Sequence, residues 1–346
     1  MRRVALVAVL VGLAVLAPAV RSQAQQVTGT LEALRDKPAI SDDERQQIRR
    51  WVAAVVNTLV TSQDADRRGM VAAREAIVTE GRKDATRSPA FLDAFGPEAV
   101  AAIKDGLSRA VGQDARVNLL MAAADLRRIE GIPLLQTAIE KEPYAASRYW
   151  AARGLAMVAD DVVAKTLPRI EAEVAESIGR ALESETSTVV LLQMFDTLGR
   201  FDHEKAHDVL ADGATKLVQR SSASDSVAVQ IMDGAVKALQ RAYAREARPE
   251  IKQHILMAYA TMCVWVMPPA ADPALMSDLN ASIEQITGEK VGFNPAEDPV
   301  LQKLSLLEWV ERFVRDKRIP KRPAMPPAVE SAVKELKASA APAGGA

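Results

Sequence analysis

Apolar residues recur at i, i+3, i+4 and i+7 through nearly the whole chain, and no stretch keeps up the two-residue alternation of a half-buried strand. That pattern admits an all-α fold and little else. Local signals mark where the helices begin. Ser41-Asp42-Asp43-Glu44 is a capping box: Ser41 accepts from a freed backbone amide, Glu44 reaches back, and the helix runs on through Trp51 and Val55. Gly81 is expected to stop the next helix. Ser88-Pro89 opens another, with serine as N-cap and proline at the first helical position, and Gly96-Pro97 is expected to break it before "EAVAAIKDGLSRAVG".

From about residue 114 the helices resemble one another in pairs. "RVNLLMAAADLRRIEGIPLLQTAIEKE", "RYWAARGLAMVADDVVAKTLPRIEAEV" and "VVLLQMFDTLGRFDHEKAHDVLADGATKLV" each read as helix, short turn, helix. Leu126, Leu155, Leu198 and Leu239 hold comparable places late in successive first helices, at uneven spacing. About half the residues are apolar but only 4% are aromatic, so the core is built mainly from Ala, Leu and Val, a composition suited to close-packed helices.

On these residues, and most clearly on "AARGLAMVADD" and "DTLGRFDHEKA", the stretch from 90 to 267 resembles degenerate HEAT or armadillo-type repeats. The resemblance implies a right-handed α-solenoid of stacked antiparallel helical hairpins and a habit of binding proteins, with no particular reaction. In such a fold a hairpin cannot hide its apolar face alone and stacks on its neighbours. The expected organisation is a helical N-terminal cap region at 25–112, HEAT-like repeats at 113–267, a C-terminal helical cap at 268–319, and a mobile Pro/Ala-rich tail at 320–346.

Residues 1–24 stand apart from the fold. Arg2 and Arg3 precede an apolar run from Val4 to Leu16, and Ser22-Gln23-Ala24 offers a small-residue cleavage site, so the segment reads as a secretory signal peptide. A periplasmic or secreted protein with no integral membrane span after cleavage is expected; a retained anchor is the alternative. The chain carries 44 Lys and Arg against 45 Asp and Glu, and losing Arg2, Arg3 and Arg21 with the leader leaves a mildly acidic remainder. Nucleic acid is therefore not the expected partner. The one cysteine, Cys263, cannot form an internal disulfide and lies in the apolar run "ILMAYATMCVWVM", where a buried structural thiol is expected.

One pentapeptide carries chemistry. His203-Glu204-Lys205-Ala206-His207 spells H-E-x-x-H, in which two imidazoles four apart on a helix can hold zinc while the glutamate polarises a bound water. Asp202 is expected to cap that helix. The flanks Asp202, Lys205 and Asp208 are charged, unlike those of zinc peptidases, and no downstream Gly and third His follow in metzincin register. His254 or Glu250, on the next second helix, could lie beside the pair. His203, His207 and His254 are thus weak metal candidates beside a structural role, and a zinc-dependent hydrolase with Glu204 as base is the alternative to a non-catalytic scaffold.

Tyr149, Trp150, Arg148 and Arg153 in "SRYWAAR" are residue types that dominate binding hot spots; Arg148, Tyr149 and Arg153 are the expected contacts to a protein partner, the alternative being that Trp150 packs between repeats and the arginines only solvate the helix. The cations Arg312, Arg315, Lys317, Arg318, Lys321 and Arg322 form a basic junction that could tether the chain as a structural envelope component. Catalytic triads, phosphate loops and dinucleotide fingerprints are absent, and no cofactor is expected.

Overall fold

The computed structural model describes residues 31–62, 67–82, 86–220, 226–248 and, beyond them, 250–252, 254, 255, 258, 259 and a few isolated positions. The leader, Cys263, the basic junction and the tail lie outside the described residues. Every regular element among the described residues is helical. No described helix is long and apolar enough to cross a membrane. The chain divides into two compact units, residues 1–135 and 136–346.

The first unit holds α1 (Asp42–Thr61), α2 (Arg67–Gly81), α3 (Pro89–Arg109) and α4 (Gln113–Leu126). α1 packs on both α2 and α3, and α2 packs on α4. Its N-terminal capping box forms as the sequence predicts: the Glu44 amide donates to Ser41 Oγ, and the Ser41 amide donates to Glu44 Oε2 at 2.8 Å. Ser88 caps α3, accepting from the Phe91 amide at 3.1 Å. Trp51, Phe91 and Phe95 meet at the centre of this unit, with Phe91 stacked on Phe95 at 5.7 Å between centroids and Trp51 tilted against Phe95 at 6.1 Å.

The expected break at Gly96-Pro97 does not occur. α3 runs through Pro97, although proline removes one helical donor and crowds the carbonyl one turn back. Two features carry the helix across. Phe91, Phe95, Ala99 and Ile103 keep one buried face on both sides of the proline, and the buried Arg128 guanidinium braces the turn before it by donating to the Leu92 carbonyl, the carbonyl that Pro97 leaves without its helical donor being that of Asp93. Gly96 makes room for that arginine, since a Cβ there would collide with the guanidinium.

The division between units falls inside α5 (Ile132–Lys141). The second unit continues with α6 (Ala145–Ala164), α7 (Pro168–Leu182), α8 (Thr188–Leu198), α9 (Glu204–Arg220) and α10 (Ser226–Arg245). Here the packing is repeat-like. α6 lies on α8, α8 on α10, and α7 on α9, each contact more extensive than that between the two helices of a sequential pair. Leu155, Leu198 and Leu239 are fully buried in α6, α8 and α10. Polar ties fix the register of the like helices. Thr197 Oγ1 donates to the Ala152 carbonyl at 3.0 Å, Arg241 donates to Asp196 at 2.9 Å, and Arg245 donates to the Arg200 carbonyl at 2.9 Å, each bond joining residues 45 apart. This arrangement is consistent with a helical solenoid.

Close approach of α8 and α10 depends on Gly199. A Cβ at that position would stand 3.0 Å from both Cα and Cβ of Ala238. Gly199→Val is expected to cost about 1–3 kcal/mol through overpacking, read as a lower urea midpoint. Gly131→Ala, whose methyl would meet nothing closer than 3.8 Å, should stay within about 0.5 kcal/mol of wild type.

Candidate functional site

The H-E-x-x-H segment sits where α8 turns into α9. Helix α9 begins at Glu204, so His203 takes the N-cap place that the sequence predicts for Asp202. Its Nδ1 accepts from the Lys205 amide at 3.1 Å, and its carbonyl accepts from the amides of Ala206 and His207. Asp202 is displaced from the cap because its own amide, with that of His203, donates to Glu171 Oε2, at 2.8 and 3.0 Å, while its carboxylate pairs with Arg245 at 3.3 Å.

His207 lies one turn on and is 0% exposed. Its Nδ1 meets Glu246 Oε2 at 2.7 Å and its Nε2 meets the Phe201 carbonyl at 3.0 Å. Both ring nitrogens are thus engaged by oxygen atoms, one of a carboxylate and one of a backbone carbonyl. Burial pushes the Glu246 carboxyl up, and the hydrogen bonds from Arg248 and His207 outweigh it, holding the group down at about 2. The amides of Ala247 and Arg248, each at 2.8 Å, and the Arg248 guanidinium complete the shell around that carboxylate.

Glu171 and His207 are equivalent. Each is the fourth residue of its helix, α7 or α9, each is buried, and each reaches across to the inter-helix turn that follows the next first helix. The second histidine of the pentapeptide thus occupies a repeat position that carries a polar tie. Sequence reasoning missed these buried acids. One signal for Glu171 is legible afterwards: it falls in the apolar stripe of Val174, Ala175, Ile178 and Leu182, where a solvated glutamate has no place.

The remaining members of the zinc reading are likewise engaged. Glu204 pairs with Arg248. His254 lies along the flank of α9, its Nδ1 3.1 Å from Asp208 and its Nε2 3.2 Å from Asp212. The two aspartates, Asp208 foremost, raise that imidazole to about 9 against the pull of burial. His254 in turn holds the Asp212 carboxyl below its ordinary range. The three imidazoles are therefore placed in a turn, in the core and on a helix flank. Among the described residues no group of three His, Cys, Asp or Glu side chains is disposed to hold a metal ion.

The "SRYWAAR" segment forms the first turns of α6 and separates into two parts. Arg148 faces inward to Glu185, donating from Nε at 2.6 Å and from Nη2 at 3.0 Å, and its Nη1 donates to the carbonyls of Glu142 and Pro143. Glu185 also accepts the amides of Thr186 and Ser187; burial raises this carboxyl, and Arg148 and the amides overcome that and lower it. Tyr149, Trp150 and Arg153 are half-exposed. The two rings meet edge-on at 5.7 Å, the Arg153 guanidinium lies 4.7 Å above the Trp150 ring, and Arg153 donates to the Tyr149 hydroxyl at 3.4 Å. Met157, two turns beyond Tyr149 on the same side of α6, is half-exposed, and Val189 at the start of α8 is 55% exposed.

The second-helix side of the unit has a different character. Arg169 pairs with Glu173 at 2.8 Å, Arg180 with Glu140 at 2.8 Å, Lys205 with Glu176 at 3.9 Å, and Lys216 with Glu183 at 3.3 Å. Charge there is matched within the protein. No protein-family model matches this sequence, and no curated protein matches it.

Two outcomes follow. His207→Leu, which strands the buried Glu246 and the Phe201 carbonyl, is expected to cost about 3 kcal/mol, while His203→Ala, a lost cap, costs about 1 kcal/mol or less. Urea unfolding with and without a chelator measures both, and a shared zinc site would make the two losses alike and chelator-dependent. For His254 the folded value of about 9 lies above the ordinary 6.5, so its contribution is complete below pH 6.5 and is lost as pH rises towards 9. The side chain is 33% exposed, and with solvent screening the loss is about 1 kcal/mol. His254→Gln should remove that part of the decline in unfolding free energy measured across this range.

Proposed function

We propose that this chain is an exported, non-catalytic protein-binding scaffold, a right-handed α-solenoid of antiparallel helical hairpins resembling HEAT repeats, working in the periplasm or outside the cell. The observation that carries this reading is the division of labour within "SRYWAAR". Arg148 is consumed in holding successive helices together, while Tyr149, Trp150 and Arg153 present aromatic area and a cation to solvent. Residues of those types bury much area at little entropic cost when a partner arrives, which is why they dominate hot spots. Stacked helical pairs supply a rigid support for such a surface and need no reactive constellation.

A zinc hydrolase would require His203 and His207 to converge on one open coordination position beside an unpaired Glu204. In this fold His203 caps α9, His207 meets Glu246 and Phe201, and Glu204 pairs with Arg248. The scaffold reading uses these side chains as they stand.

Site-specific photocrosslinking in the cell envelope separates the two. A benzophenone side chain at Tyr149 should yield discrete protein adducts, and the same group at Glu173, on the charge-matched side, should not. Absence of adducts from Tyr149, or a chelator-sensitive hydrolysis of casein peptides that Glu204→Gln abolishes, would overturn the scaffold.

A further inference from the structure

The half-buried cluster on α6 has a chemistry of its own. Among the described arginine side chains of the second unit, Arg153 alone has no carboxylate within 4.0 Å. Arg148, Arg169, Arg180, Arg200, Arg241, Arg245 and Arg248 are each paired with Asp or Glu. Arg153 instead rests on the Trp150 ring and on the Tyr149 hydroxyl. A guanidinium stacked this way keeps an edge of its donor fork for a bidentate carboxylate, and the stack fixes its direction in advance. Beside it the Tyr149 and Trp150 rings meet at an interplanar angle of 83°, so that the ring under the cation and the ring whose hydroxyl it touches lie in different planes. The Trp150 indole N–H has no hydrogen-bond partner among the described residues and can donate to a peptide carbonyl.

We propose that Tyr149, Trp150 and Arg153 receive an acidic peptide segment of a partner protein, its carboxylate on Arg153 and a neighbouring proline or other apolar side chain laid against the two rings. This rests on the scaffold reading and narrows it to one partner chemistry. Charge complementarity selects the occupant. Arg153 has no carboxylate partner, whereas each of the other guanidiniums named above is in an ion pair, Arg200 and Arg241 sharing Asp196. The chain's own proline-rich stretch, 319–327, carries Lys321 and Arg322 and is of the wrong sign to sit on Arg153.

A displayed library of random short peptides, selected on the full-length protein and on R153Q, R153K and W150A variants of unchanged helicity, tests this. On wild type, selection should enrich sequences with Asp or Glu within a few residues of Pro or an aliphatic or aromatic residue. The dissociation constant of a synthesised winner should rise about tenfold or more in R153Q and in W150A, with R153K intermediate because it keeps charge but loses the fork. Winners without acids, winners bound equally well by R153Q, basic proline-rich winners resembling 319–327, or no enrichment would each overturn the acidic occupant. The crosslinks from Tyr149 are an independent readout. If they persist after any of those results, the scaffold stands and only its partner chemistry has been misassigned.

Discussion

The second unit depends on carboxylates buried at the turns between helices. Glu185 and Glu246 each lie just past a helix end, accept two backbone amides from the turn they begin, and meet a nitrogen-bearing side chain from an earlier helix, Arg148 or His207. Removing a carboxylate from water costs several kcal/mol, and only a full shell of donors in good geometry offsets it. A small slip of one helix along its neighbour would leave that shell incomplete. Apolar Ala, Leu and Val surfaces tolerate sliding far better, so the polar ties specify register while the apolar faces supply most of the driving force.

This requirement explains why chemistry-bearing residues turn inward. His207 is in the place where α7 carries Glu171, and both reach the following inter-helix turn; the acid accepts amides there, and the histidine meets an acid. The H-E-x-x-H spacing coincides with the demands of a helix start: a cap at His203, an acid in the first turn at Glu204, and an inward polar residue at the fourth position. The same logic draws Arg148 out of the surface cluster. What is left facing solvent is a small group whose rings and cation satisfy one another only in part.

Much of the helical architecture was legible, because its signals are local. Ser41 with Glu44 and Ser88 with Pro89 act within one turn of chain, and their caps form where the spelling places them. Gly96-Pro97 reads locally as a stop, yet α3 continues, since a buried face on both sides outweighs the lost bond and an arginine from after α4 ties down the turn before it. Asp202 is the better cap by propensity, but Glu171 from the preceding pair engages the Asp202 and His203 amides, Arg245 engages the Asp202 carboxylate, and the cap passes to His203.

The sequence by itself determined that the described residues are helical and where many of their helices start, because periodicity and capping act over a few residues. Only the tertiary structure decided which polar side chains are spent on neighbours and which stay partly open to solvent. Arg148 meets Glu185 at a separation of 37 residues and His207 meets Glu246 at 39, and no local pattern encodes a pairing whose partner is brought near by the packing of whole helices.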